Sequence, residues 1–250
     1  MKIYNSTIGY GQPTFVIAEL CSNVVRHIIH PTYSYSLDVS HWNLQEIVSL
    51  VAQTGASAAK IQLFKHTHFP EPEWESKKRV EFPRDRVREF IDLCHSNNLA
   101  AGASVFDDDA VDLLEQSGAD FIKMATREWE NINLWQRVLE SPLPKIASFD
   151  VGNSRMINVP YAMDTIHLAC VPQYPVIDPY IPRGYSVDSD WGWSSHTSDY
   201  LDCLLAVSRG ACVIEKHIAF SETDFERGWS LESNEFGQMV KDIRRVERMR

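Results

Sequence analysis

The run WGWSSHTSDYLDCLLAVSRGACVIEKHIAF (191–220) decides the fold. It opens on an apolar segment through WGWSS (191–195) and closes on another, ACVIEKHI (211–218). Between them SDYLDCLLAVSRG (198–210) reads as a helix stopped by Gly210. Two strands joined through a helix lie parallel, because a tight hairpin can only make them antiparallel. Each strand also carries a histidine at its tail, His196 and His217.

The same unit recurs upstream. Strands are predicted over 14–20, 57–64, 99–106, 119–126, 143–148 and 163–171, and the segment 187–195 holds the seventh. Helices are predicted over 43–55, 83–98, 108–118 and 131–141, with a last one over 232–250. The helix at 43–55 is amphipathic, with Leu44, Ile47, Val48 and Val51 on one side. Counting 211–218, the chain offers eight strands, most followed by a helix, which predicts an α/β fold of the (β/α)8 TIM-barrel type in one domain over residues 1–250. A doubly wound open sheet is the alternative, but the GxGxxG signature of a dinucleotide fold is missing. Two connections are thin: FDVGNSRMINVPYA (149–162) lacks helical pattern and PQYPVIDPYIPRGYS (172–186) holds too many prolines. The fifth and sixth outer helices are therefore expected to be shortened or missing. The barrel wall this would bare suggests a homodimer.

Bulk properties narrow the classes. A net charge of −10 argues against a general nucleic-acid binder, while leaving room for a locally positive site. The N-terminal residues show no apolar leader core, and no run is long enough to span a membrane. Five cysteines without a CxxC pair suggest neither a zinc knuckle nor a disulfide framework, and fit a reducing cytoplasm.

In barrels of this class the chemistry sits at the C-terminal ends of the strands. The tails supply Glu19, Lys60 and Gln62, Ser104, Lys123 with Thr126 and Glu128, Ser148, Ser194 with His196, and Glu215 with His217. Period-two alternation sets Lys60 and Gln62 on one face and Ile61 and Leu63 on the other. Lysines and hydroxyls suit a phosphate, two imidazoles suit Mn²⁺ or Zn²⁺, and a carboxylate suits general-base work. Each also has a plainer reading: a rim lysine, a hydrogen-bonded histidine, a helix-capping serine, or Glu215 paired with Lys216 or Arg244. Their coincidence at one barrel end favours a site. His27 and His30 are read as a loop without metal, His66 and His68 as a solvent-facing or substrate-loop pair near a strand end, and Trp191 and Trp193 as packing.

These tails resemble the sialic acid synthase family, which condenses phosphoenolpyruvate with an N-acyl amino sugar. GWSSHTSD (192–199) with VIEKHIAF (213–220) is similar to the family's paired GLSDHT and VIEKHF segments, and GASAAKIQLFK (55–65) to its GADAVKFQTFK segment. ADFIKMATRE (119–128), ACVPQYP (169–175) and IGYGQPTFVIAEL (8–20) add weaker matches, the last to an N-terminal hairpin and first strand. The resemblance implies Glu19 as catalytic carboxylate. It implies Lys60, Ser104, Lys123, Thr126, Ser148 and Ser194 around phosphoenolpyruvate. Gln62, Glu128 and Tyr174 would face the sugar, with Glu226 standing in for an aspartate. His196 and His217 would hold a divalent metal, normally Mn²⁺.

The chain also departs from the pattern. Val24 replaces a histidine, Pro172 a polar residue and Ser195 an aspartate, and the family's small antifreeze-like domain is not within these residues. Another barrel aldolase or lyase, or a non-catalytic barrel, therefore stays open.

Overall fold

A computed structural model describes residues 1–29, 43–152, 165–181 and 190–249. Eight parallel strands form the barrel: β1 (Phe15–Glu19), β2 (Ala58–Leu63), β3 (Ala100–Val105), β4 (Phe121–Met124), β5 (Lys145–Asp150), β6 (Thr165–Cys170), β7 (Trp191–Ser195) and β8 (Val213–Ala219). They pair in sequence order, and β8 pairs with both β7 and β1, so the sheet closes. Closure removes sheet edges and buries strands on both faces, which is why FVIAE of β1 and VIEKHIA of β8 are buried at every position.

The helices are α1 (Cys21–Ile29), α2 (Leu44–Gln53), α3 (Trp74–Lys78), α4 (Val87–Ser96), α5 (Asp108–Ser117), α6 (Ile132–Glu140), α7 (Leu201–Ser208) and α8 (Ser233–Glu247). Local chemistry sets several ends. Asn43 and Glu46 form a reciprocal capping box at the start of α2. Asp107 accepts from Ala110 N at 2.7 Å to start α5, and Gly118 at φ 77° ends it.

Apolar side chains separate into two cores. One lies between barrel and helices and includes Val48, Phe90, Ile122, Trp193 and Ile243. The other fills the barrel's N-terminal end, where Phe15, Ile17, Phe121, Ile146 and Leu168 meet Ile3 and Ile8. Ile3 and Ile8 come from the antiparallel hairpin Lys2–Ile3 with Ser6–Thr7 and the turn behind it, so this hairpin plugs the barrel floor. The interior is thus apolar below and polar above, and the site is confined to one mouth.

Three expectations need correction. His27 is not in a loop: it is buried on α1 and its Nε2 lies 3.0 Å from Asp224 Oδ1, a carboxylate that also accepts from Phe220 N and Ser221 N. His66 to His68 form a 3₁₀ turn, not a strand end; His66 Nδ1 meets Glu81 Oε2 at 3.0 Å and His68 stacks on Phe106. The helix predicted from residue 83 begins with a 3₁₀ turn at Arg84–Arg86 and becomes α-helical only at Val87. His30, residues 153–164 and residues 182–189 lie outside the described residues, and with them most of the two thin connections. Among the described residues no helix lies between β5 and β6 or between β6 and β7. No described helix is long and apolar enough to cross a membrane.

Candidate active site

The register assembles the site layer by layer. His217 is level with Glu19, Glu19 with Lys60, and Ser104 with Lys123; Glu215 is level with Ser194. A cavity of about 250 Å³ opens at the C-terminal mouth. Glu19, Gln62, Ser104, Lys123, Thr126, Ser148, Tyr174, Ser194, His196 and His217 line its wall. With Glu215, eleven of the candidate side chains named from the sequence therefore converge. Lys60, Glu128 and Glu226 do not line the cavity.

Lys60 is fully buried at the cavity's edge. Its ammonium pairs with the Glu19 carboxylate, donates to Ser104 Oγ at 2.7 Å and lies 3.6 Å from Glu215 Oε2. Burial pushes this lysine down to about 7, against the pull of Glu215. Lys123 Nζ donates to Glu215 Oε1 at 3.1 Å, and Ser194 Oγ donates to the same oxygen at 2.9 Å. Burial works to raise the Glu215 acid, but Lys123 and Lys60 together outweigh it and hold the carboxylate well below the usual range. Glu215 thus pairs with the two inward lysines and not with Lys216 or Arg244. Lys216 points out of the barrel to Ser195 Oγ and Thr197, and Arg244 binds Thr14 O and Glu247. Alternation put Glu215 on the face of His217, and that signal was sufficient to find it.

Glu19 is oriented twice, by Lys60 on one oxygen and by the Cys21 backbone N–H on the other at 2.8 Å. Thr126 Oγ1 contacts Cys170 Sγ at 3.0 Å. Ser148 Oγ is buried without a hydrogen-bond partner among the described residues. Glu128 is held by Arg127 Nε at 3.1 Å and Asn131 Nδ2 at 3.0 Å. Arg127 itself lines the cavity, its guanidinium over the rings of Phe69 and Phe106. Nothing in the sequence pattern singled it out. Val24 is fully buried in the outer core, and Pro172 lines the cavity.

The two histidine rings lie 5.6 Å apart, and Tyr174 covers His196 at 4.2 Å. His196 Nδ1 is 2.8 Å from Val171 O, and His217 Nδ1 is 2.7 Å from Glu226 Oε2. Glu226 also accepts from Ser22 Oγ at 2.7 Å, and its backbone N–H donates to Asn23 Oδ1 at 3.1 Å. Burial, and then the neighbouring His217, hold His196 down at about 3, so its ring stays neutral. Each ring thus engages Nδ1 with an oxygen and keeps Nε2 for another partner, the arrangement of metal-binding histidines with oriented outer partners. The donor set fits a divalent ion.

A closed parallel barrel with ammonium, carboxylate and imidazole groups gathered at its C-terminal mouth defines a barrel enzyme. A profile of the NeuB family matches residues 47–250, and the chain belongs to that family. It is 25% identical, over all of this chain and 75% of the relative, to an uncharacterized protein of Methanocaldococcus jannaschii. It is 22% identical to the human N-acetylneuraminate-9-phosphate synthase over 96% of this chain and 72% of that one. The crystal structure of an N-acetylneuraminic acid synthetase from Leptospira borgpetersenii superposes with a TM-score of 0.85 at 22% identity, covering all of this chain and 89% of the other.

Proposed function

We propose that this enzyme condenses phosphoenolpyruvate with the open-chain aldehyde of an N-acyl amino sugar, giving a 2-keto-3-deoxy sugar acid and phosphate. The observation that carries this reading is one cavity lined together by Lys123, the hydroxyls of Ser104, Thr126, Ser148 and Ser194, and the imidazoles of His196 and His217. Anion and aldehyde would then meet within a single small volume.

In this reading Lys123 holds the anionic end of phosphoenolpyruvate, Lys60 adds positive charge from behind Glu19 and Ser104, and the hydroxyls fix the substrate's orientation. Gln62 faces the sugar beside Tyr174. A divalent ion at His196 and His217, Mn²⁺ by family resemblance, supplies Lewis-acid polarisation of the aldehyde when bound. The enol π pair of phosphoenolpyruvate C3 forms the new C–C bond, the carbonyl pair moves to the aldehyde oxygen, and that oxygen takes a proton. C2 becomes electron-poor. Water adds there as Glu19 takes its proton, and the tetrahedral carbon expels phosphate by C–O cleavage, leaving the ketone. The lysines stabilise the departing phosphate. Five free thiols support a reducing, cytoplasmic setting. Exposed Ile177, Tyr180, Leu201 and Leu205 support a homodimer, which sedimentation would test.

The test is to incubate the protein with phosphoenolpyruvate, Mn²⁺ and a panel of N-acyl amino sugars and to follow phosphate. Sugar-dependent release is expected; its absence with every acceptor overturns the reading.

A further inference from the structure

At His217 three buried groups of different chemistry converge. Among the described residues, Cys21, His217 and Glu226 bring one sulfur, one ring nitrogen and one carboxylate oxygen within 4.8 Å of one another. Zinc bonds of about 2.0–2.3 Å set tetrahedral ligand atoms about 3.5 Å apart, so small side-chain shifts would let these three atoms close on one ion. The cluster is nearly but not fully shut off, with Cys21 at 8%, His217 at 5% and Glu226 at 9% exposure. Of the three, His217 lines the cavity while Cys21 and Glu226 lie behind its wall, so the cluster adjoins the cavity through His217.

Cys21 reaches this place at a conformational cost. Its φ is 38°, in the left-handed region that side chains other than those of Gly, Asn and Asp seldom adopt. It is nonetheless held there, because its N–H donates to Glu19 Oε1 at 2.8 Å. Glu226 is braced by Ser22 Oγ at 2.7 Å and by its own backbone bond to Asn23.

We propose that Cys21, His217 and Glu226 form a three-ligand site for a borderline divalent ion of the zinc class, with Cys21 bound as the thiolate. Thiolate and imidazole together favour such an ion over the harder Mn²⁺. Binding releases the thiol proton to solvent. The proposal deepens the reading above, in that the ion serves the same cavity, but it needs that reading only for the ion's use and not for its binding.

The test strips the full-length protein with a chelator and titrates Co²⁺, which reports a sulfur ligand through a near-ultraviolet charge-transfer band. The band should saturate at one equivalent and vanish in Cys21→Ser and in Cys21→Gly, the second of which also relieves the backbone. Cys170→Ser should keep it. Zn²⁺ affinity should fall at least tenfold in both Cys21 variants while Mn²⁺ affinity changes little. No band in the wild type, or a band surviving in a Cys21 variant whose circular dichroism is native, overturns the site. Sugar-dependent phosphate release with Mn²⁺ but no Co²⁺–sulfur band would sink this proposal and leave the condensing reaction standing. A band without any phosphate release would do the reverse.

Discussion

Lys123 on β4 and Glu215 on β8 meet across the barrel interior at 3.1 Å, although 92 residues separate them in the chain. Glu215 is also the counter-charge for Lys60 at 3.6 Å, so one carboxylate balances two buried ammonium groups. Removing one partner of a buried pair costs about 3–5 kcal/mol, because the remaining charge is left without compensation. Glu215→Gln should therefore lower the melting temperature. Phosphoenolpyruvate should restore more of it in the variant than it adds to the wild type. Equal ligand shifts in thermal melts would contradict the pairing argument.

Ser148 Oγ lies at the cavity wall, buried and without a hydrogen-bond partner among the described residues, and the proposed reaction gives it phosphoenolpyruvate as a partner. An unmade hydrogen bond stabilises nothing, so Ser148→Ala should leave the melting temperature unchanged or raise it slightly. The KM for phosphoenolpyruvate should rise several-fold, matching a lost hydrogen bond of about 0.5–1.5 kcal/mol. Unchanged KM together with reduced stability would show a structural role instead.

Glu19 lines the cavity wall with Lys60 at one oxygen and the Cys21 N–H at the other, and the proposed reaction uses it as the base. Glu19→Gln keeps the shape and removes the base, so kcat should fall roughly 10²–10⁴-fold with little change in substrate binding by calorimetry. A variant within a few-fold of wild type in kcat would exclude this carboxylate as the base.

His196 is held at about 3 by burial and by His217, whereas an unfolded histidine titrates near about 6.5. Between these values the unfolded chain takes up a proton that the folded chain refuses. Stability of the metal-free protein is therefore undiminished above about 6.5 and falls as pH drops towards 3. His196→Asn should flatten this loss. Urea midpoints measured near neutrality and near pH ~5 test it, and parallel declines in both proteins would reject the assignment.

Gly192 sits on β7 where a Cβ would meet Val213 O at 2.5 Å and Leu168 Cδ2 at 2.4 Å. Because one obstacle is the backbone of β8, Gly192→Ala should push β7 from its neighbours and cost about 1–3 kcal/mol or more. The displaced tail carries Ser194 and His196, so phosphoenolpyruvate binding should weaken as well. Native stability in chemical denaturation would show that the barrel yields more easily than its packing implies.

Much of this protein was legible in its sequence because the relevant signals are local. Period-two alternation placed Lys60, Gln62, Glu215 and His217 inside the barrel. The helices predicted over 43–55 and 108–118 are present, and the structure shows Asn43, Asp107 and Gly118 capping them. The helix between β7 and β8 set those strands parallel, and polar residues at seven of the eight strand tails predicted one polar mouth. Other features depended on neighbours distant in the chain. His27 reads as a loop residue in the sequence but is buried against Asp224, and a hydrogen-bond partner nearly two hundred residues away leaves no mark on local pattern. Arg127 entered the cavity because two aromatic rings from other loops hold it there.

The deepest division concerns partners. Residue type and spacing determined which groups face inward, since alternation along a strand is a property of the backbone itself. Which inward groups pair was decided only by closure of the sheet. Barrel curvature brought β4 and β2 against β8, so that Glu215 took Lys123 and Lys60 and left Lys216 to the outer layer. The same closure brought Cys21 and Glu226 to His217. Pairing energies act through space, and the chain order of these residues carries no record of the distances that the closed barrel imposes.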